Sequence, residues 1–445
     1  MGGEWRCCTI GELCDSKVAE LQTGPFGTQL HAHDYVEAGV PVVPTEAIRN
    51  RQIDHSLLPM ISPGKAEELA RHRLQLGDIL FARRGVQATG HIGYVRAAEV
   101  GFLCGTGAIR LRVRRNDESL SPEFLSHVLA NPASVAWFKF HAIGATMPNL
   151  NEGIIRSFPL LLPPLPEQHV IAKILSTLDD KIELNRRLSE TLEATAQVLF
   201  TSWFVDFDPV RAKAEGSHAG LPKPIAQLFP ESFEDSDLGE IPKGWRVAKM
   251  GDEVATVLGG TPSRAEPRYW GGDIPWINSG EANEFRIVEP TEFITDDGLE
   301  SSATKLLPLR TTVIAITGAT LGQVSLTEIA TCANQSIVGV IGKSELPSEF
   351  LYFWVKSRIH DLLASETGGA QQHINKNDVN DLRVLVADEP IMRAFIARAL
   401  PCFDRIKNCC LESLTLRVLG DALLPRLISG ELRVKQAEDL VKASS

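Results

Sequence analysis

Apolar residues fall at heptad spacing between Pro166 and Trp203. Ile171, Leu178, Leu192 and Leu199 share one seven-residue phase, and Leu175, Ile182, Ala196 and Trp203 lie four positions beyond them. No glycine or further proline interrupts this stretch, so it predicts one helix of about 57 Å at 1.5 Å per residue. Prolines 163, 164 and 166 hold the entry extended, and a proline fits the first helical turn because its missing N–H would have no intrahelical partner. Asn185 falls on the first series, where a single polar residue fixes register at a cost in stability. A seam this long is too extended to bury against a small domain and calls for a partner helix.

The partner lies in the same chain. Shifting the seam by 224 positions gives Phe395, Cys402, Cys409, Leu416 and Leu423, then Ala399, Ile406, Ser413, Gly420 and Leu427. This second seam is weaker but in phase. Asp180-Lys181-Ile182 aligns with Asp404-Arg405-Ile406 and Leu150-Asn151 with Ile374-Asn375, and Glu4-Trp5-Arg6 resembles Gly244-Trp245-Arg246, where the offset has grown to 240. A unit of roughly 200 residues therefore occurs twice. Pro401 stands where the first copy has Thr177 and predicts a kinked or split second helix.

Ahead of each helix the pattern changes to short apolar runs between turn signals, which predicts mixed, β-rich domains. In the first, GDILFARRG (77–85) reads as a turn, a buried strand and a basic loop tip. Residues 108–115 read as an alternating strand with Leu111 and Val113 on one face and Arg110, Arg112 and Arg114 on the other. That arginine face would grip phosphates, or simply be solvated. Ser121 to Phe140 predicts a helix interrupted at Pro132. In the second domain, 261–282 is turn-rich, 311–326 predicts two strands around a glycine-rich loop, and Ser348 to Leu363 predicts a helix. The fold class is thus α+β with an internal two-fold repeat. Its parts are recognition domain one (1–162), helix one (163–210), an ordered-to-loose linker (211–244), recognition domain two (245–387), helix two (388–430) and a tail (431–445).

The composition is that of a globular chain, with 445 residues, 44% hydrophobic and 23% charged. The N-terminus lacks the basic and apolar regions of a signal peptide, and no apolar window is long enough to span a membrane. Of the eight cysteines, four form adjacent pairs and none a CxxC, which suggests reduced thiols in a cytoplasmic protein.

Catalytic patterns fail together. Ile337 stands where a Walker loop ending at Gly342-Lys343-Ser344 needs glycine, and Gly105 and Gly107 lack the third glycine of a dinucleotide fingerprint. There is no Asn-Pro-Pro-aromatic segment and no Glu-x-Lys. Asp179-Asp180-Lys181 reads as a solvated helix face. His31 and His33 lack a third metal ligand.

The segments PLPEQHVIAKILSTLDDKIELNRRLSETLEA, LFTSWFVDFDPVRAKAEG and SFEDSDLGEIPKGW resemble the specificity subunit of type I restriction–modification systems. QTGPFGTQLHAHDY (22–35) and GGTPSRAEPRYWGGDIPW (259–276) are similar to that family's recognition domains. The resemblance implies two recognition domains, each reading half of a bipartite double-stranded DNA target, set apart by two antiparallel helices paired as a coiled coil. It further implies two modification subunits and motor-nuclease restriction subunits as partners. S-adenosylmethionine, ATP and magnesium would serve those subunits, leaving this chain without catalytic residues, metal or cofactor.

A net charge of −11 is unusual for a DNA binder, although much of the acid lies in the linker and helices. Arginine pairs with guanine and glutamine with adenine in the major groove. On that chemistry the candidate DNA contacts are Gln29, His31, Arg49, Arg51, Arg83, Arg84, Gln87, Arg110 and Arg112 in the first domain. In the second they are Arg264, Arg268, Tyr269, Thr317, Thr320, Gln371, Gln372 and His373. The helix-pairing candidates are Ile171, Leu175, Leu178, Ile182, Asn185, Leu192, Leu199, Phe395, Ile406, Leu416 and Leu423. The alternatives are a coiled-coil scaffold with no DNA role and a self-sufficient nuclease or methyltransferase.

Overall fold

The computed structural model describes residues 5–26, 29–114, 119–144, 146–217, 220–364, 373–428 and 431–432. The chain divides into two compact units, Met1–Ile182 with Thr415–Ser445, and Glu183–Leu414.

Unit one contains β1 (Arg6–Thr9), β2 (Ala19–Thr23), β3 (Ile79–Ala82), β4 (Ile92–Tyr94) and β5 (Ala108–Val113). Helices α1 (Pro122–Ala130) and α2 (Pro132–His141), strand β6 (Pro159–Leu162) and the first part of α3 (Leu165–Phe204) follow. β1 pairs antiparallel with β6, and the main sheet runs β2-β5-β3-β4, antiparallel throughout. Asn131 ends α1 and caps α2, its side chain accepting from the Ala133 N–H, so Pro132 opens a new helix.

Unit two repeats this plan with β7 (Arg246–Lys249), β8 (Ala255–Leu258), β9 (Thr312–Ala315), β10 (Val324–Leu326) and β11 (Ile337–Ile341). These are followed by α4 (Ser348–Ala364), β12 (Arg383–Val386) and α5 (Glu389–Ile428), which extends past the unit's end. β7 pairs with β12, and the sheet order β8-β11-β9-β10 matches that of unit one strand for strand.

The long helices are shared between the cores. In unit one, Ile171, Ile174, Leu175 and Leu178 of α3 and Leu416, Leu423 and Leu427 of α5 join Phe81, Phe124 and Phe138, with Ile182 partly buried beside them. In unit two, Phe200, Trp203 and Phe204 of α3 pack with Phe395, Ala399 and Phe403 of α5 and with Phe350, Phe353 and Trp354 of α4. Ile406 is also buried, while Leu192 and Leu199 are half-buried. Within unit two the helices run antiparallel: Asn185 donates to Glu412 (2.7 Å) and Ser413 (3.4 Å), while Phe200, further along α3, meets Phe395. The seam thus buries against both a partner helix and a domain. The end of α3 serves the second domain, so the domains do not each stand on a helix of their own.

Two expectations are narrowed. The segment 211–244 lies at the ordered end of its expected range among its described residues: Phe229 and Ile241 sit in the core of unit two beside Trp245, and 233–236 pair with 239–242 as a hairpin. A chain rich in proline and glycine still orders when its few aromatics find a core. The second helix does not split, since α5 is continuous through Pro401. Pro401 and Ala397, whose carbonyl loses its helical donor, both lie on the exposed face and can be hydrated. On the opposite face, Phe395, Ala399, Phe403 and Ile406 are buried and hold the helix down.

Pro401→Ala should therefore restore one helical bond without disturbing the core, stabilising unit two by about 1–3 kcal/mol. A rise of several degrees in its melting temperature checks this, and an unchanged or lower value contradicts it. Phe200→Ala, although placed in the first helix, should destabilise unit two by about 3–5 kcal/mol. Hydrogen exchange would locate the loss, with protection falling in β9 and α4.

Candidate nucleic-acid interface

The four buried residues of β3 deliver the chain into a tip, Arg83 to Thr89. The tip is closed at its base by paired backbone bonds: Ala82 N–H donates to the His91 carbonyl (2.9 Å) and Gly90 N–H to the Ala82 carbonyl (3.1 Å). A third bond, from Leu150 N–H to the Arg83 carbonyl (2.7 Å), ties it to the segment before α3.

β9 ends in the same way. Ala315 N–H donates to the Gln323 carbonyl (2.9 Å), Gly322 N–H to the Ala315 carbonyl (2.9 Å), and Ile374 N–H to the Ile316 carbonyl (3.0 Å). Leu150 and Ile374 are repeat mates, so one backbone scaffold is built twice. Gly90 and Gly322 close the two tips at φ +89° and +81°, a conformation that side-chain-bearing residues avoid. A Cβ there would meet α2 at Gly90 and Leu363 of α4 at Gly322. The residues along the tips differ: Arg83, Arg84, Gly85, Val86 and Gln87 in unit one, and Ile316, Thr317, Gly318, Ala319 and Thr320 in unit two.

In unit one, Arg84, Val86 and Gln87 are exposed, while Arg83 is half-buried with its Nε donating to Asn149 (3.0 Å). A second turn joins this tip, because Ile143 and Asn149 exchange backbone bonds and Thr89 donates to the Pro148 carbonyl. This turn and the end of α2 add exposed apolar side chains: Phe140 of α2 is 84% exposed, and Ile143 and Met147 are exposed as well. Burial and the cations Lys139 and Arg49 push the His91 imidazole below its ordinary value. Residues 79–98 and 124–151 contain no aspartate or glutamate, yet carry Arg83, Arg84, Arg96 and Lys139. Phe140, Ile143, Met147 and Lys139 escaped the sequence reading, although the acid-free runs were a visible signal. Arg49 is exposed on the 48–53 hairpin, where it pairs with Gln52 across the turn. His31 is exposed and stacked on His33, and the Gln29 side-chain carbonyl accepts from Arg71.

Three candidate contacts are committed to the fold instead. Arg110 is 2% exposed, with Nη1 donating to the Arg71 and Arg73 carbonyls. Arg112 holds Asp78 with two bonds of 2.6 Å. β5 lies in the middle of its sheet and is covered on both faces, so the expected alternation of polar and apolar faces is absent. Arg51 is 4% exposed and pairs with Asp179, which is thus tied to the domain and only partly open to water.

In unit two, Arg264 forms a double bond pair with Glu292 (both 2.7 Å) and stacks on Trp270 at 3.6 Å. Arg268 is exposed between Glu266 and Asp297, over the Tyr269 ring. Thr317 and Thr320 are half-buried at the tip, and His373 is exposed beside it. Gln371 and Gln372 lie outside the described residues.

Among the described residues no group of three or more His, Cys, Asp or Glu side chains could hold a metal ion, and no helix is long and apolar enough to cross a membrane. All eight cysteines are free. Burial pushes the Cys104 thiol up to about 12 and that of Cys410 to about 11, which removes both as nucleophiles at neutral pH.

Several known proteins are similar to this chain in sequence or in fold. The HindI type I restriction enzyme specificity subunit of Haemophilus influenzae is 29% identical over 367 residues, covering 72% of this chain and 79% of its own. The MjaIX specificity subunit of Methanocaldococcus jannaschii is 25% identical over 365 residues, covering 81% and 78%. The crystal structure of a type I restriction–modification S subunit from M. genitalium has the same fold, with a TM-score of 0.53 over 95% of this chain and 96% of that one at 16% identity. The model of the type I restriction modification DNA specificity domain matches residues 3–194 and again 242–388. With one such domain in each repeat, the chain belongs to the specificity-subunit family of type I restriction–modification systems.

Proposed function

We propose that this chain is the non-catalytic reader of a type I restriction–modification enzyme, with unit one reading one half of a bipartite DNA target and unit two the other. The twin tips carry this reading, since one backbone scaffold bears Arg-Arg-Gly-Val-Gln in one unit and Ile-Thr-Gly-Ala-Thr in the other. Identical scaffolds with different side chains suit two different half-sites. Arg84 and Gln87 have the donor patterns that recognise guanine and adenine, whereas Thr317 and Thr320 offer hydroxyls and methyl groups. Two modification subunits would bind the chain and use S-adenosylmethionine, and restriction subunits would use ATP and magnesium, all in the cytoplasm. The negative total charge fits a division of labour in which partners hold much of the phosphate backbone and this chain supplies base contacts.

The direct test is methylation. The chain with its modification subunits should methylate adenines in one interrupted DNA motif, and the chain alone with S-adenosylmethionine and magnesium should do nothing. Replacing residues 1–162 by another recognition domain should change one half of the methylated motif and leave the other intact, and sequencing of modified bases reads the outcome. A change in both halves contradicts the partition. Arg84→Ala should cost about 1–3 kcal/mol of binding to the cognate site and relax selectivity at one position of the first half-site. A uniform loss at every position would instead assign Arg84 to the phosphates.

A further inference from the structure

Two inward-turned arginines perform the same task from unrelated places in the sequence. Arg51 of unit one is buried and Arg310 of unit two half-buried. Both adopt left-handed backbone conformations, at φ +62° and +61°, which residues with side chains disfavour. Arg51 lies along β4, donating its N–H to the Ile92 carbonyl (2.9 Å) while its carbonyl accepts from Tyr94 N–H (3.1 Å). Arg310 donates its N–H to the Thr327 carbonyl (2.8 Å), just past β10, the strand that matches β4.

Each guanidinium then crosses from the domain to a long helix. Arg51 bonds to Asp179 of α3, with its Nε donating to Ser126 of α1 (3.0 Å). Arg310 bonds to Asp404 of α5, with Nη1 donating to Glu349 of α4 (2.7 Å). The repeat does not explain this match. Shifting Arg51 by the 232 positions that separate β4 from β10 lands on Asn283, and Asp404 is the mate of Asp180 rather than Asp179. The two clamps coincide in geometry, not by residue-for-residue correspondence.

We infer that Arg51 and Arg310 are positioning residues that fix each recognition domain at a set angle on the long helix it is bonded to, and thereby set the gap allowed between the two DNA half-sites. This rests on the reading proposed above. A domain of this size has a radius of about 20 Å. Rocking by about 10° would carry its far loops through roughly 3.4 Å, one base-pair step. Apolar packing against the helix resists separation but is not directional. A charge-assisted hydrogen bond from a planar guanidinium fixes direction as well.

The experiment uses complexes of the full chain with its modification subunits and a DNA series in which both half-sites are kept and the gap varies one base pair at a time. Wild type should methylate one gap length. Arg51→Met should raise methylation of gaps one base pair longer or shorter by about ten-fold, the factor expected for a lost charge-assisted hydrogen bond, with the half-site bases unchanged. Arg310→Met should act in the same direction, less strongly, because Arg286 and Lys356 still hold Glu193 of α3 at 2.7 Å. Asp179→Asn keeps an acceptor and lies at the partly exposed end of the pair, so it tests the clamp even where Arg51→Met fails to fold. Its broadening should be smaller but present. If Arg51→Met and Asp179→Asn both retain the single wild-type gap, or if they alter half-site bases instead, these arginines only stabilise the fold and the inference is overturned. A wild-type complex with no preference for a two-part target would overturn the reading of the chain itself, and the inference with it.

Discussion

Burial of the two helix seams is the constraint on which the rest depends. Neither seam can remain in water, and neither is satisfied by the other helix alone. Ile171, Leu175 and Leu178 share a core with the first domain and the end of α5, whereas Phe200, Trp203 and Phe204 share one with the second domain and the start of α5. Each long helix therefore contributes to two cores. Asn185, 1% exposed and bonded to Glu412 and Ser413, supplies the polar register mark that sliding the helices by one turn would leave unpaired.

On these cores stand two sheets with the same strand order, each sending a fully buried strand, β3 or β9, into a tip closed by three backbone bonds. Because the closure uses only backbone groups and a glycine, the side chains along the tip are free to differ. A scaffold of this kind separates folding from recognition. Changing Arg84, Val86 or Gln87 removes no backbone bond that holds the tip, while changing Gly90 would force a Cβ against α2.

Charge follows the same division. Arginines that look like a phosphate grip in the sequence, Arg51, Arg110 and Arg112, are consumed inside the fold by Asp179, backbone carbonyls and Asp78. Burying a guanidinium without partners would be far too costly, so these three come with their acceptors built in. Among the exposed cations, Arg84 and Lys139 lie where the neighbouring sequence has no carboxylate to neutralise them.

The sequence by itself determined the repeat, the long helices, the Pro132 interruption, the β3 strand with its basic tip and the family. All of these rest on local periodicity or on residues adjacent in the chain. It could not determine which arginines were buried, because Arg112 needs Asp78 from a turn 34 positions away and Arg51 needs Asp179 from the helix. It left the order of 211–244 open for the same reason, since Phe229 and Ile241 are ordered by a core assembled from α3, α4 and α5. It also allowed a split at Pro401 that does not occur, because the cost of that proline depends on whether the freed carbonyl meets water or protein. Only tertiary structure decides that, by turning the Ala397–Pro401 edge outward and Phe395 and Phe403 inward.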